Sequence, residues 1–262
     1  MSEIVQFQQE QAVGVVTLNR PEALNALTPE MLDRLGEVLA AVEQDGTVRA
    51  LIVTAAGEKA FCVGADLKAR AQEYADDGTA PDPFADRVRR VFAQLEALPT
   101  PTVAAINGYA LGGGLELALA CDLRVAAEGA RFGFPEAKVG SMPGAGGTQR
   151  LTRLVGPARA KELMFTGEFI DAAEAYRIGL VNRVVPGPQL LEAARALAGT
   201  IAARAPLAVR AIKTAVHLAA DASLEAGLAL ERTAHAALRA SRDRREGIQA
   251  FLEKREPQFT GR

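Results

Sequence analysis

The chain is short of the residues that build disulfide frameworks, metal centres and imidazole-based catalysis. Its 262 residues include two cysteines and two histidines. Cys62 and Cys121 form no CxxC or metal-ligand spacing, so a disulfide framework is excluded and a reducing cytoplasm fits best. His217 and His235 fall in the C-terminal part, where a surface or satisfied core histidine is the ordinary reading, and a metal site has no support. Neither sign of charge dominates: 30 Lys plus Arg stand against 32 Asp plus Glu, a net charge of −2. Nothing in that balance recruits a polyanion, so nucleic-acid binding is disfavoured. The N-terminus has no basic region followed by an apolar core, and no secretory signal is visible. The longest apolar stretch, residues 103–127, is broken by Asn107, Glu116, Asp122 and a glycine cluster. A membrane span does not tolerate that pattern. No GxGxxG follows a strand and no glycine loop ends in GK[ST], so neither a nicotinamide nor a Walker-type site is indicated.

What is present is an α/β pattern. Residues 4–8 and 13–18 read as two short strands. Thr28–Pro29 starts a helix that ends near Gly46, with Met31, Leu35, Val38, Leu39 and Val42 on one face. Residues 49–57 and 101–108 read as strands, LELALA as a helix and 122–127 as a strand again. Residues 69–86, acidic and interrupted by Gly78, Pro81 and Pro83, predict a mobile surface loop of the kind that shapes a pocket, followed by a helix over 86–97. Helices beginning near Pro188, Pro206, Ser223 and Ser241 dominate the rest. The expected organisation is an α/β core over 1–190 and a helical region over 191–262.

Two glutamates carry the chemistry. Glu116 follows Gly112–Gly113–Gly114 in the first turn of a helix, and Glu136 follows Phe134–Pro135. A first-turn glutamate satisfies a helix dipole, which is sufficient reason for either residue alone. Yet the helical neighbours of Glu116, namely Gly113, Leu119 and Ala120, are small or apolar, which turns its carboxylate inward. Carboxylates in apolar surroundings are costly unless paired, hydrogen-bonded or protonated, and two together serve proton transfer. The triple glycine also exposes backbone N–H groups at a helix start. In FCVGADLK (61–68), Gly64 frees the chain to turn and the Ala65 N–H to point outward, though on this segment alone a plain strand-to-helix turn is the favoured reading. PGAGGTQRL (143–151) allows close backbone approach around Gly144 to a water or substrate group, or simply tight packing.

Taken together these segments resemble the crotonase superfamily, and more closely its enoyl-CoA hydratases. The resemblance runs through LNRPEALNAL (18–27), GEKAFCVGADLK (57–68), PTVAAINGYALGGGLELALACDLRVAA (101–127), FGFPEAKVGSMPGAGGTQRLTRLVG (132–156), AAEAYRIGLVNRVV (172–185) and FLEKREPQF (251–259). It implies a spiral of ββα turns with a C-terminal helical region that packs trimers, often paired into hexamers. It implies an acyl-CoA thioester as substrate, with CoA part of that substrate and no separate cofactor. The thioester carbonyl would lie between the N–H groups of Ala65 and Gly113. Glu116 would orient and deprotonate the water attacking C3, and Glu136 would deliver a proton to C2, as in the hydration step of β-oxidation. Ala65, Asp66, Leu67 and Lys68 would line the CoA site, and Lys254 would reach CoA, also across a subunit interface. Glu22 stands where some hydratases carry lysine, a departure that leaves one expected phosphate contact open. Isomerisation or dehydration of another acyl-CoA is the nearest alternative. A hydratase-like RNA-binding protein is the more distant one, since the helix at 29–45 sets Glu30, Asp33, Glu37 and Glu43 against Arg34 alone.

Overall fold

The computed structural model describes residues 3–67 and 82–262. A hairpin of β1 (Val5–Glu10) and β2 (Val13–Leu18) leads into α1 (Pro29–Gln44). Three further turns then repeat one plan: a strand in each of two sheets, followed by a helix. They are β3 (Ala50–Ala55), β4 (Ala60–Cys62) and α2 (Pro83–Ala97); β5 (Thr102–Ile106), β6 (Tyr109–Leu111) and α3 (Gly113–Ala120); β7 (Leu123–Ala127), β8 (Arg131–Gly133) and α4 (Gly147–Val155). With β9 (Ile170–Asp171) and β10 (Arg183–Val185), the sheets run β1-β2-β3-β5-β7-β10 and β4-β6-β8-β9. All pairings other than β1–β2 and β8–β9 are parallel. The crotonase-like spiral of ββα turns is therefore present.

Alternation along the strands feeds two cores. Leu51 and Val53 of β3, with Ala104 and Ile106 of β5, face the large core shared with α1, α2 and α3. Their neighbours Ala50, Ile52, Val103 and Ala105 face a second core closed by Leu190, Ala194, Ala198 and Ala202 of α7 (Leu190–Ala202). A sheet buried on both faces needs continuous apolar strands, which is what ALIVTA and TVAAI supply. The division expected at 190/191 thus falls at the start of a helix that covers the sheet. The outlying helices are α8 (Pro206–Ala219), α9 (Leu224–Ala240) and α10 (Arg242–Glu253), and neither α8 nor α9 buries a residue within this chain.

The helix starts follow local chemistry. Thr28 Oγ1 accepts the Met31 N–H at 3.2 Å, with Pro29 at the first helical position. Asp82 Oδ1 accepts the Ala85 N–H at 3.0 Å with Pro83 in the same place, so α2 starts at Pro83 and the loop expected to reach 86 is corrected. A capped start of this kind is worth about 1 kcal/mol. The remainder of that loop, together with Lys68, lies outside the described residues. Ser223 and Ser241 cap α9 and α10. Among the described residues no helix is long and apolar enough to cross a membrane.

Candidate active site

The site begins with a loop that arranges another loop. Asn25, buried and at φ +54°, sends its amide N–H groups to Ala56 O and Ala60 O at 3.0 and 2.9 Å. It accepts the Arg20 N–H at 2.9 Å. This fixes the segment 20–27 so that Leu27 bridges Ala65: Leu27 N–H donates to Gly64 O at 2.8 Å, and Asp66 N–H donates to Leu27 O at 3.2 Å. In a parallel bridge these bonds use the peptides flanking Ala65, so its own N–H points to the opposite side. Gly113 lies close to this turn. A Cβ built on Gly64, which turns at φ +86°, would come 2.9 Å from Gly113 N, and one built on Gly113 would come 3.9 Å from Ala65 N. Gly113 opens α3, where an N–H has no carbonyl a turn earlier to accept it. Two amide donors from separate turns therefore abut.

The triple glycine is explained position by position. Gly112 adopts φ 52°, ψ −125°, a region closed to side-chain-bearing residues, and a Cβ there would reach within 2.7 Å of Glu136 Oε1. Gly114 packs so closely that a Cβ would lie 2.0 Å from Cys62 O. Between them, Gly113 supplies the amide. Cys62 itself is a fully buried thiol whose pKa is pushed up to about 12 by burial, which makes it an inert packing residue.

Every residue of α3 from Gly114 to Ala120 is buried, and Glu116 with them at 3% exposure. Its Oε1 accepts the N–H groups of Ala145 and Gly147 at 2.7 and 2.8 Å. Burial pushes the Glu116 carboxyl above its usual range; the amides of Gly147 and Ala145, the Arg150 charge and the Gly144 amide pull the other way. The PGAGG segment is thus a turn whose amides are given to the Glu116 carboxyl. Gly144, expected to meet a water or substrate group, turns its N–H toward that carboxylate, and its carbonyl accepts from Arg89 at 3.4 Å.

Glu136 sits on a short 3-10 helix, Pro135–Val139, anchored by the fully buried Phe134. Its Oε2 is buried without a hydrogen-bond partner. Burial raises its pKa to about 7; its own backbone N–H opposes the rise and the charge of Glu116 adds to it. One carboxyl therefore receives amides from another turn and the other keeps one oxygen unpartnered, in electrostatic reach of each other near the amides of Ala65 and Gly113. Such a set can take a proton at one carboxylate, give one from the other and hold a negative oxygen between the amides.

The other expected contacts are dispersed. The Asp66 carboxylate is engaged by Arg20 at 3.2 Å, while Leu67 is exposed. Lys254 caps α10 at φ +56°, on an exposed stretch with Phe251 and Leu252, and among the described residues nothing joins it to the two amides. Sequence reasoning missed Ala145, Gly147, Arg150 and Glu96. The arginine of GGTQRL, at helical distance behind a glycine turn, was the available signal.

A layered αβ spiral with abutting backbone amides and paired acids defines the class, and comparison supplies the family. The family described as enoyl-CoA hydratase/isomerase matches residues 8–262. The short-chain-enoyl-CoA hydratase of Clostridium acetobutylicum is 43% identical over 95% of this chain and 94% of its own. The crotonyl-CoA hydratase of Syntrophomonas wolfei is 42% identical over 97% and 96%. A crystal structure of an enoyl-CoA hydratase from Bacillus anthracis superposes with a TM-score of 0.94 at 43% identity, covering 99% of this chain and all of that one. The chain belongs to the enoyl-CoA hydratase/isomerase family.

Proposed function

We propose that this protein is an enoyl-CoA hydratase, adding water syn across the 2,3 double bond of a 2-enoyl-CoA to give a 3-hydroxyacyl-CoA. The observation that carries the reading is the pairing of unlike carboxyls, Glu116 held by the amides of another turn and Glu136 with its Oε2 unpartnered, beside the amides of Ala65 and Gly113. Ionised Glu116 takes a proton from water as its oxygen bonds to C3. The electrons of the double bond move onto the thioester oxygen, which the two amides receive; one such donor is worth about 2.7–4 kcal/mol in the transition state. Protonated Glu136 then delivers its proton to C2 as the carbonyl re-forms. In the reverse direction the roles exchange. CoA is held as part of the substrate by residues 65–68 and by Lys254, and no separate cofactor is required.

The proposal extends to a homotrimer or a hexamer of paired trimers in the cytoplasm. Phe165, Ile212, Val216, Leu224, Phe251 and Leu252 are exposed apolar side chains on α5 (Pro157–Thr166) and the C-terminal helices, and they support burial in an assembly. Two free, buried thiols support a reducing setting. The test of activity follows the loss of conjugated-enoyl absorbance when crotonyl-CoA meets the purified protein. Hydration by the wild type, reduced about 10²–10⁴-fold in Glu116→Gln and in Glu136→Gln, is the expected result. No hydration of short, medium or long enoyl-CoAs overturns it, and a shifted double bond in the product would assign an isomerase instead.

A further inference from the structure

The turn that holds Glu116 is itself held. Arg150, in the first full turn of α4, folds back so that its Nη1–H donates to Ala145 O at 2.7 Å. The other edge of the guanidinium meets Glu96 of α2 as a fork: Nε–H to Oε1 at 2.8 Å and Nη2–H to Oε2 at 2.7 Å. Two parallel bonds of this kind fix the plane of the arginine as well as its position. Room for this comes from Gly146, where a Cβ would lie 2.1 Å from Arg150 Nη1. The peptide joining Ala145 to Gly146 lies between the two peptides whose N–H groups reach Glu116 Oε1. Clamping its carbonyl therefore fixes both donors. Among the described residues, no side chain donates to Glu116, so its direction is set by this turn and by α3 alone.

We propose that Arg150, clamped by Glu96, is a positioning residue for Glu116: it holds the Ala145–Gly147 turn so that two amides fasten one carboxylate oxygen and aim the other at the reactant. As a statement about catalysis this rests on the hydratase reading; as a statement about Glu116 it does not. The charged groups around the clamp are Glu96 and Arg89 of α2, Lys213 and His217 of α8, Asp122, which binds both of the latter, and Glu136. Arg150 is the cation whose charge bears on Glu116.

Three variants separate charge from geometry: Arg150→Met removes both, Arg150→Lys keeps the charge without the fork, and Glu96→Gln keeps the cation but loosens it. With crotonyl-CoA, R150M is expected to lose roughly 10²-fold in kcat with KM little changed, the scale of a misplaced reacting group. The acid limb of its pH–rate profile moves to higher pH, because losing a nearby positive charge raises the pKa of Glu116. R150K restores the limb and recovers only part of kcat, and E96Q leaves the limb at or below its wild-type position. A second measurement needs no turnover: the ¹³C NMR titration of the Glu116 carboxyl, assigned by its loss in Glu116→Gln. Its midpoint should rise in R150M and not in R150K or E96Q. If the wild type hydrates nothing, the hydratase reading fails and the NMR titration still decides the clamp. Wild-type kcat and pH limb in R150M, or a Glu116 midpoint unmoved in it, overturns the proposal. So does a loss of kcat in all three variants that tracks melting temperature alone; should R150M not fold, wild-type kcat in both R150K and E96Q, or a Glu116 midpoint that rises in either, overturns it.

Discussion

Glu116 and Glu136 come from successive turns of the spiral, and the ground on which each stands differs in one respect. Around Glu116 the chain supplies backbone N–H groups: Ala145 and Gly147 bond it directly, and Gly144 adds its field. Around Glu136, among the described residues, it supplies none beyond that of Glu136 itself, and Gly112 stands so near that a Cβ on it would meet the carboxyl. Both groups are driven toward the neutral form by burial, so burial does not distinguish them. The count of aimed amides does. On the hydratase reading, the placement of peptide bonds is what would make Glu116 the base and Glu136 the proton donor.

The most forceful way to break the contrast is to remove either carboxyl, and the loss of about 10²–10⁴-fold in hydration by the two Gln variants is the largest effect expected. Next comes Gly112→Ala. The added methyl meets Glu136 Oε1 at 2.7 Å on a backbone with φ 52°, so both the strand-to-helix turn and the carboxyl must move. Its kcat for crotonyl-CoA hydration should fall by roughly 10²-fold, with a lowered melting temperature, while Glu116 keeps its amide donors.

The pH dependence of kcat sharpens the comparison further. Glu136 must be protonated to donate, and with its pKa near 7 the rate should decline as pH rises through about 7. Glu116 must be ionised, which sets the acid limb. Glu136→Gln abolishes the basic limb along with most of the rate, whereas a basic limb that survives in the residual activity would assign it to another group.

The smallest effect concerns stability. The pKa of Glu136 is raised in the fold from an ordinary 4.5 to about 7. The folded protein holds that proton more tightly than the unfolded chain does, so this group's contribution declines as pH rises from 4.5 to about 7 and stays low above it. Glu136→Gln should melt a few degrees higher than wild type at pH 8, and the difference should close below pH 4.5. Equal melting temperatures at pH 8 would show that water reaches the carboxyl freely.

Where local rules act, the structure was legible from residues: Thr28–Pro29 starts α1, the apolar runs become β3 and β5, and Ser223 and Ser241 open helices where expected. The same rule applied to Asp82–Pro83 gives the true start of α2, which the acidic composition around it obscured. Strands β4, β6 and β8 have three residues each, too few for an alternating pattern, yet they form the sheet that carries the Ala65 and Gly113 turns. α7 looks like its successors in sequence, and only its alanine face against β3 and β5 distinguishes it. Glycine, proline and isolated charge draw attention to the two glutamates and the glycine turns, while the amides of Ala65 and Gly113 are paired through the family resemblance. That Ala145 and Gly147 grip a carboxylate 29 and 31 residues earlier was not visible, since no pattern within either segment encodes their meeting.

The PGAGG turn has one more consequence. Its amides face an anion, as in a phosphate-binding loop, but the sequence offers no lysine beside it to hold a diffusing ligand. None is needed when the anion is carried on α3. A tethered group arrives at an effective concentration fixed by the chain itself, so a receptor too weak for a free carboxylate at cellular levels can stay occupied. The turn and Glu116 are a host and guest encoded in one polypeptide, and folding is their binding reaction.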